Sequence, residues 1–173
     1  MIGKILKFFV GDKSKKDLKL INPIIDKIHS FHPEVSNFSN DELRAETIHF
    51  KNKILNATSS LHNEIDKIKS EIENETDINQ KESLFSKIDK INQEIYQISE
   101  SCLEEILPKA FAVVKETASR FVNNKNISVT ATDFDLKIAQ TKDYVEIKKD
   151  LAVWKNNWDA AGKNIVWDMV HYD

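Results

Sequence analysis

Leu107-Pro108-Lys109-Ala110-Phe111-Ala112-Val113-Val114-Lys115-Glu116 is the most apolar helical stretch in the chain, and its reading decides the fold class. Pro108 suits a helix start, where its missing N–H leaves no bond unmade. Phe111, Val114, Ala118 and Phe121 follow at spacings of 3, 4 and 3, which sets them on one face, and Ala110 and Val113 widen it. A helix this apolar on more than one side is expected at the centre of a core, wrapped by neighbours.

The surrounding composition agrees. The 173 residues are 40% hydrophobic and 31% charged, with only 3 Gly and 3 Pro, which suits a helix-rich protein or a piece of one. The single cysteine, Cys102, excludes an internal disulfide, points to a reducing compartment, and reads as a packed thiol in a helical pattern. No apolar run approaches the ~18 residues of a membrane span. Phe8 to Val10 is too short for a signal-peptide core, so a cytoplasmic protein is expected. Charge is uneven within a net of −3. Residues 1–21 hold six Lys against two Asp, whereas residues 61–106 hold five Lys against twelve acidic residues. A basic arm on an acidic chain points to an anionic surface as the arm's partner.

Upstream of the central stretch, residues 1–10 read as a short helix with Ile2, Ile5, Leu6 and Phe9 on one side and Lys4 and Lys7 flanking. Gly11 and Asp12 are expected to end it. Such a helix can lie among lipid headgroups, dock on a partner or pack on its own domain. Leu18, Ile21, Ile25, Ile28 and Phe31 form a second stripe. Pro23 either kinks that helix or begins a new one capped by Asn22, and Pro33 argues against helix through His32. His29 and His32 lack companions for a metal and read as solvated or capping residues. Ser39-Asn40-Asp41-Glu42 is a capping box before a helix with Leu43, Thr47, Phe50 and Ile54 toward a core.

Residues 61–106 are the most periodic part. Leu61, Ile65, Ile68 and Ile72, then Leu84, Ile88, Ile91, Ile95, Ile98 and Cys102, alternate steps of 4 and 3 around a break at Thr76-Asp77-Ile78-Asn79. This a/d pattern predicts an antiparallel helical hairpin with arms of ~25–30 residues, or a seam for a second copy. Downstream, Ile127–Thr132 leans to strand, and Thr132 or Asp133 caps a short helix through Ile138. Leu151–Trp154 and Asn164–Trp167 flank turn residues, which suggests a hairpin in which Trp154, Trp158 and Trp167 take part in cross-strand packing. Three glycines, at 3, 11 and 162, make no phosphate loop, and no metal, nucleophile or EF-hand motif occurs. Few basic residues on an acidic body argue against nucleic acid. These residues alone describe a helical interaction module.

Leu107-Pro108-x-Ala110-Phe111-Ala112-Val113-Val114-x-Glu116 resembles the LPEAFAVVREA segment of the bacterial preprotein translocase ATPase family SecA. Lys7-Phe8-Phe9-Val10-Gly11 with Asp17-Leu18-Lys19 is similar to the family's KVFGSxNDRxLK opening. Ile28–Glu34 resembles INALEPE, Phe38–Phe50 resembles LSDEELRAKTAEF, and Met169–Asp173 resembles MRHFD. Roughly residues 57–103 and 127–168 depart from the common family pattern and read as lineage-specific additions. The resemblance implies an N-terminal segment of a peripheral ATPase that drives preproteins through the SecYEG channel from the inner face of the cell membrane. In the family, an adenine-reading Gln and the phosphate-binding GEGKT loop come later than residue 173, so ATP and Mg belong to the full-length parent and neither is expected to bind this segment. It also implies contacts of Lys4, Lys7, Phe8 and Phe9 with anionic phospholipid or the channel, dimer contacts, and Tyr172 beside a nucleotide pocket.

The expected architecture is mainly α, a helical bundle with a long antiparallel coiled-coil hairpin and a small C-terminal β-hairpin. Residues 1–11 form the basic amphipathic helix, 12–56 a helical region, 57–106 the hairpin, 107–122 the core helix, and 123–173 the loop and β-hairpin before a motor domain. The rival from another class is a free-standing coiled-coil adaptor.

Overall fold

The computed structural model describes the backbone of residues 2–167 and the side chains of residues 15–167. Three long helices, α1 (Ile2–Val35), α2 (Asn40–Asn74) and α3 (Ile78–Asn123), lead into β1 (Asn126–Thr130), α4 (Asp133–Ala139), β2 (Val145–Lys148), β3 (Leu151–Lys155), β4 (Asn157–Ala160) and β5 (Lys163–Val166). The mainly α class with a small C-terminal antiparallel part is therefore as expected. The chain divides into two compact units, residues 46–107 and the segments on either side of them.

Residues 46–107 form the helical hairpin. Ile65 and Ile68 on α2 are buried with Ile88 and Ile91 on α3, and Leu61, Ile72, Leu84 and Ile95 pack against them. The turn is held by short acidic side chains. The Asp77 carboxylate accepts from the N–H groups of Asn79 (2.7 Å) and Gln80 (3.3 Å), an N-cap for α3, and Glu75 accepts from Thr76 and Asp77. Lys53–Glu105 (2.6 Å) and Lys87–Glu64 (2.9 Å) bridge the arms. Residue numbers rise on one arm as they fall on the other, which makes the arms antiparallel.

The other unit begins with α1, where the structure corrects the expectations at Gly11 and Pro33 and decides between the two at Pro23. Gly11 does not end a helix, because a mid-helix glycine costs only about 1 kcal/mol against alanine. Pro23 lies inside α1 with no second start at Asn22, and Pro33 does not stop it before Val35. Each proline removes one backbone bond and leaves the neighbouring turns intact, and Ser36 N–H closes the last turn on His32 C=O at 3.0 Å. The Ser39–Glu42 capping box forms as read. Glu42 N–H donates to the Ser39 hydroxyl (3.2 Å), and Ser39 N–H donates to the Glu42 carboxylate (2.7 Å), which lowers the pKa of that carboxyl.

Pro108 is also inside a helix, since α3 runs without a break from Ile78. The phase of its continuation differs from the expected one. Ala112, Val113 and Ala118 are buried, whereas Phe111 and Val114 are 56% and 60% exposed. The buried face therefore carries Ala112, Val113 and Ala118, and the bulkier Phe111 and Val114 lie off it. Thr47 is likewise exposed, while Leu43 is buried.

The three-stranded antiparallel sheet has the order β1-β3-β2, with Ile127, Val129, Val145 and Ala152 buried. The strand-leaning run at 127 and the Thr132-capped helix are both present. The final hairpin is tighter than expected: β4 pairs with β5 (Trp158↔Ile165), and Leu151–Lys155 pairs instead with β1 and β2. Ala161 and Gly162, at φ 50° and 77°, make the two-residue turn that matches strand twist. Trp158 and Trp167 meet edge to face at 5.9 Å, and Trp167 stacks on Phe121 at 5.7 Å.

Ile68 lies at the centre of the hairpin seam and is 2% exposed. Ile68→Ala is expected to lower the stability of the hairpin by about 2–5 kcal/mol in denaturant titration. A loss below about 1 kcal/mol would mean the seam is not the hairpin's core.

Candidate functional site

The chain has 23 lysines and only two arginines, Arg44 and Arg120. A planar guanidinium can serve several acceptors at fixed angles where an ammonium acts as a point charge. Both arginines occupy junctions between elements.

Arg44, on the second turn of α2, meets Asp135 on α4. Its Nη2 donates to Asp135 Oδ1 and its Nη1 lies on Oδ2, both at 2.9 Å. Asp135 is fully buried. The Thr132 N–H and hydroxyl each donate to Oδ2 at 2.8 Å, and Trp154 Nε1–H donates to Oδ1 at 3.0 Å. Burial alone would push this carboxyl up. The bonds from Arg44 and Thr132 outweigh it and hold the group at about 2, below its ordinary 3.8. Five donors saturate a carboxylate, which leaves no lone pair for substrate, proton or metal. Asp135 is therefore a joint.

The first turns of α2 also close the open edge of β1. Asn40 Nδ2–H donates to Ser128 C=O (3.1 Å), Thr130 N–H and hydroxyl donate to the Asp41 carboxylate (2.8 and 2.9 Å), and Arg44 Nη1 reaches Thr130 C=O at 3.4 Å. Side chains of a helix thus take the place of a fourth strand on an edge that would otherwise recruit another chain.

Arg120 performs the second junction from α3. It donates to Glu116 (2.7 Å), Asn40 Oδ1 (2.8 Å) and Phe38 C=O (2.8 Å), with Val35 and Ser36 carbonyls at 3.5 Å. These carbonyls lie at the C-terminal end of α1, where acceptors lack intrahelical partners and the helix dipole favours a cation. Lys109 adds an ion pair to Glu34 (2.9 Å) and sits 5.5 Å from the Phe38 ring centroid.

The residues that the resemblance singles out have no described side chains. Lys4, Lys7, Phe8 and Phe9 lie on the first turns of α1, with side chains outside the described residues, and Tyr172 lies wholly outside them. Among the described residues no cluster of His, Cys, Asp or Glu is arranged to hold a metal, and no helix is long and apolar enough to cross a membrane. Every buried side-chain polar atom there has a partner. Trp154 was expected in a cross-strand role only, and its bond to Asp135 was not read. The signal available was the rarity of arginine in a lysine-rich chain.

Residues 6–132 match the family model described as SecA DEAD-like domain. The chain is 52% identical over 172 residues to the protein translocase subunit SecA of Flavobacterium psychrophilum, 49% over 172 to that of Christiangramia forsetii, and 47% over 171 to that of Bacteroides fragilis. Each alignment covers 99% of this chain and 15% of the relative, so the chain spans about 15% of the length of the curated relatives it matches. The aligned stretches run through residues 57–103 and 127–168. No solved structure matches.

Three outcomes follow, two from the Asp135 joint and one from an exposed pair on the hairpin for contrast. Arg44→Lys is expected to cost about 2 kcal/mol in denaturant titration, because one ammonium cannot serve both carboxylate oxygens and the strand edge. Lys53→Ala, which breaks an exposed pair, is expected to cost no more than about 1 kcal/mol. In acid, the folded chain binds the Asp135 proton less tightly than the unfolded chain. That contribution, roughly 2 kcal/mol, is present above pH ~5 and is lost as pH falls toward 2. Asp135→Asn is expected to flatten this part of the stability–pH curve, and an unchanged slope would contradict the assignment.

Proposed function

The chain belongs to the SecA family of protein translocase subunits, and on that premise we propose that it forms the N-terminal region of a motor that couples ATP hydrolysis to preprotein export through the SecYEG channel. The observation that carries this reading is the 52% identity over 99% of the chain to a protein translocase subunit SecA. The chemistry is assigned to the longer polypeptide: a phosphate-binding loop there would hold ATP with Mg, and Tyr172 would border the adenine pocket. The part played by residues 1–173 is attachment.

The basic arm is the attachment point. Lys4, Lys7, Phe8 and Phe9 fall within two turns of α1, and residues 1–21 carry net +4 on a chain of net −3. A helix of this kind lies along an anionic lipid surface, with its lysines near the headgroups and its aromatic rings at the acyl boundary. The protein is then cytoplasmic and peripheral on the inner face of the membrane, in agreement with the absence of a spanning helix among the described residues.

Co-sedimentation with vesicles containing phosphatidylglycerol tests the arm. Lys4→Glu with Lys7→Glu is expected to weaken binding at least tenfold, at roughly 1 kcal/mol for each lysine near an anionic surface, and binding to neutral vesicles should be weak for both chains. Equal binding of the altered and unaltered chains to anionic vesicles would sink this role for the arm.

A further inference from the structure

The helical hairpin of residues 46–107 has two unlike flanks, and its phase tells them apart. Lys53, Glu64, Lys87 and Glu105 each stand one residue before an isoleucine of the seam, at 54, 65, 88 and 106. Lys53–Glu105 and Lys87–Glu64 join across the arms, so the positions before the seam share one flank. A step of one residue turns an α-helix by about 100°. The positions one residue after the seam therefore share the opposite flank. That flank carries Leu55 on α2 and Phe85, Tyr96, Leu103 and Leu107 on α3. They are 59%, 53%, 66%, 46% and 37% exposed.

These side chains repeat the hairpin's own heptad phase, displaced by one residue. A line of that kind is the surface a third helix uses in a three-stranded coiled coil. The hairpin's core does not use it, because Ile65, Ile68, Ile88 and Ile91 are satisfied within the seam. The charges on the α3 side of the flank have one sign. Glu82 and Asp89 bracket Phe85, and Glu100 stands between Tyr96 and Leu103 at the outer border. Among the described residues none of the three meets a cation. Lys81 falls in the phase of the seam, and Lys90 on the back of α3. The α2 side is balanced, with Lys51 and Lys69 against Asp66 and Glu73, and Lys69 lies 3.9 Å from Asp66.

We infer that this flank receives a basic amphipathic helix of a separate polypeptide, laid along the hairpin as a third strand of the coiled coil. Its apolar side would cover Leu55, Phe85, Tyr96, Leu103 and Leu107, and its lysines or arginines would lie over Glu82, Asp89 and Glu100. Charge complementarity selects this occupant. An acidic helix would meet three carboxylates of its own sign, and a neutral one would cover them without supplying partners. A second copy of the same flank would set these carboxylates against one another, and an anionic lipid surface would be repelled by them. The span sets the partner's length. From Phe85 to Leu103 the line runs about 27 Å at 1.5 Å per residue, which a helix of about 18–21 residues matches. The inference stands on the hairpin's own surface and does not depend on the translocase reading.

Fluorescence anisotropy of the full 173-residue chain with a labelled synthetic helix tests it. The probe has three heptads with leucine at the a and d positions and lysine at the others. Its twin carries glutamate in place of lysine. In about 0.15 M salt, where charges more than about 8 Å apart are screened, the lysine helix is expected to bind at least about tenfold more tightly than the twin. Phe85→Ser with Tyr96→Ser and Leu103→Ser should weaken binding at least about tenfold. Glu82→Gln with Asp89→Asn and Glu100→Gln should weaken it at least about fivefold. Glu71→Gln with Glu94→Gln and Glu105→Gln removes as many carboxylates from the ion-paired flank and should leave binding within about twofold. Circular dichroism should show the same helix content in every variant. A lysine helix that does not bind overturns the inference, as does one that binds no better than its twin. Binding that survives both flank triples, or that falls as far with the control triple, overturns it too. A Tyr96 that hydroxyl radicals cannot reach in the chain without peptide assigns the flank to this polypeptide or its copy, and equally overturns it.

Discussion

A carboxylate without water around it must be given donors, and the unit outside the hairpin is arranged around that requirement at Asp135. The side chain is fully buried, and five bonds from α2, the α4 cap and β3 converge on its two oxygens. Each of those elements is short or begins there. α4 has seven residues, too few to be stable alone, and the sheet has three strands of four or five residues. Neither would hold its place by burial of Ile127, Val129, Val145 and Ala152 alone. The joint to Arg44 supplies direction, and the apolar residues supply the driving force.

Much of this fold was legible in the residues, wherever a local rule and the tertiary structure agree. The a/d steps from Leu61 to Cys102 read directly as the hairpin, because a seam satisfied between two adjacent arms needs no distant information. The Ser39–Glu42 box and the Thr132 cap were legible for the same reason. The errors fell where one residue's preference was set against a long helix. Gly11, Pro33 and Pro108 each carry a local cost, and each lies within a helix whose other turns remain bonded. The face of α3 after Pro108 was misjudged because large side chains were assumed to be inside, whereas Ala112, Val113 and Ala118 are the buried ones. The strand pairing of Leu151–Lys155 with β1 across some twenty residues had no local signal. The two arginine junctions could be found only once partners far apart in sequence stood together.

The division of labour between cations is consistent with this. Lysines on the hairpin make exposed pairs, such as Lys53–Glu105 and Lys87–Glu64, that keep one flank solvated and add little stability. The two arginines sit where geometry matters, one closing the edge of β1 and one gathering the carbonyls at the end of α1. Both joints lie within the unit outside the hairpin, and each fixes the start of α2 against another element.

The central claim, that this folded chain is a working part of a translocating ATPase, is tested most directly by complementation in trans. The Flavobacterium psychrophilum relative would be made without the region it shares with this chain, and its ATP turnover measured with and without the chain added. The account predicts low turnover that rises, and becomes responsive to preprotein and channel-containing membranes, when the chain is supplied. Turnover that is indifferent to the added chain, while the intact relative is active, would contradict it.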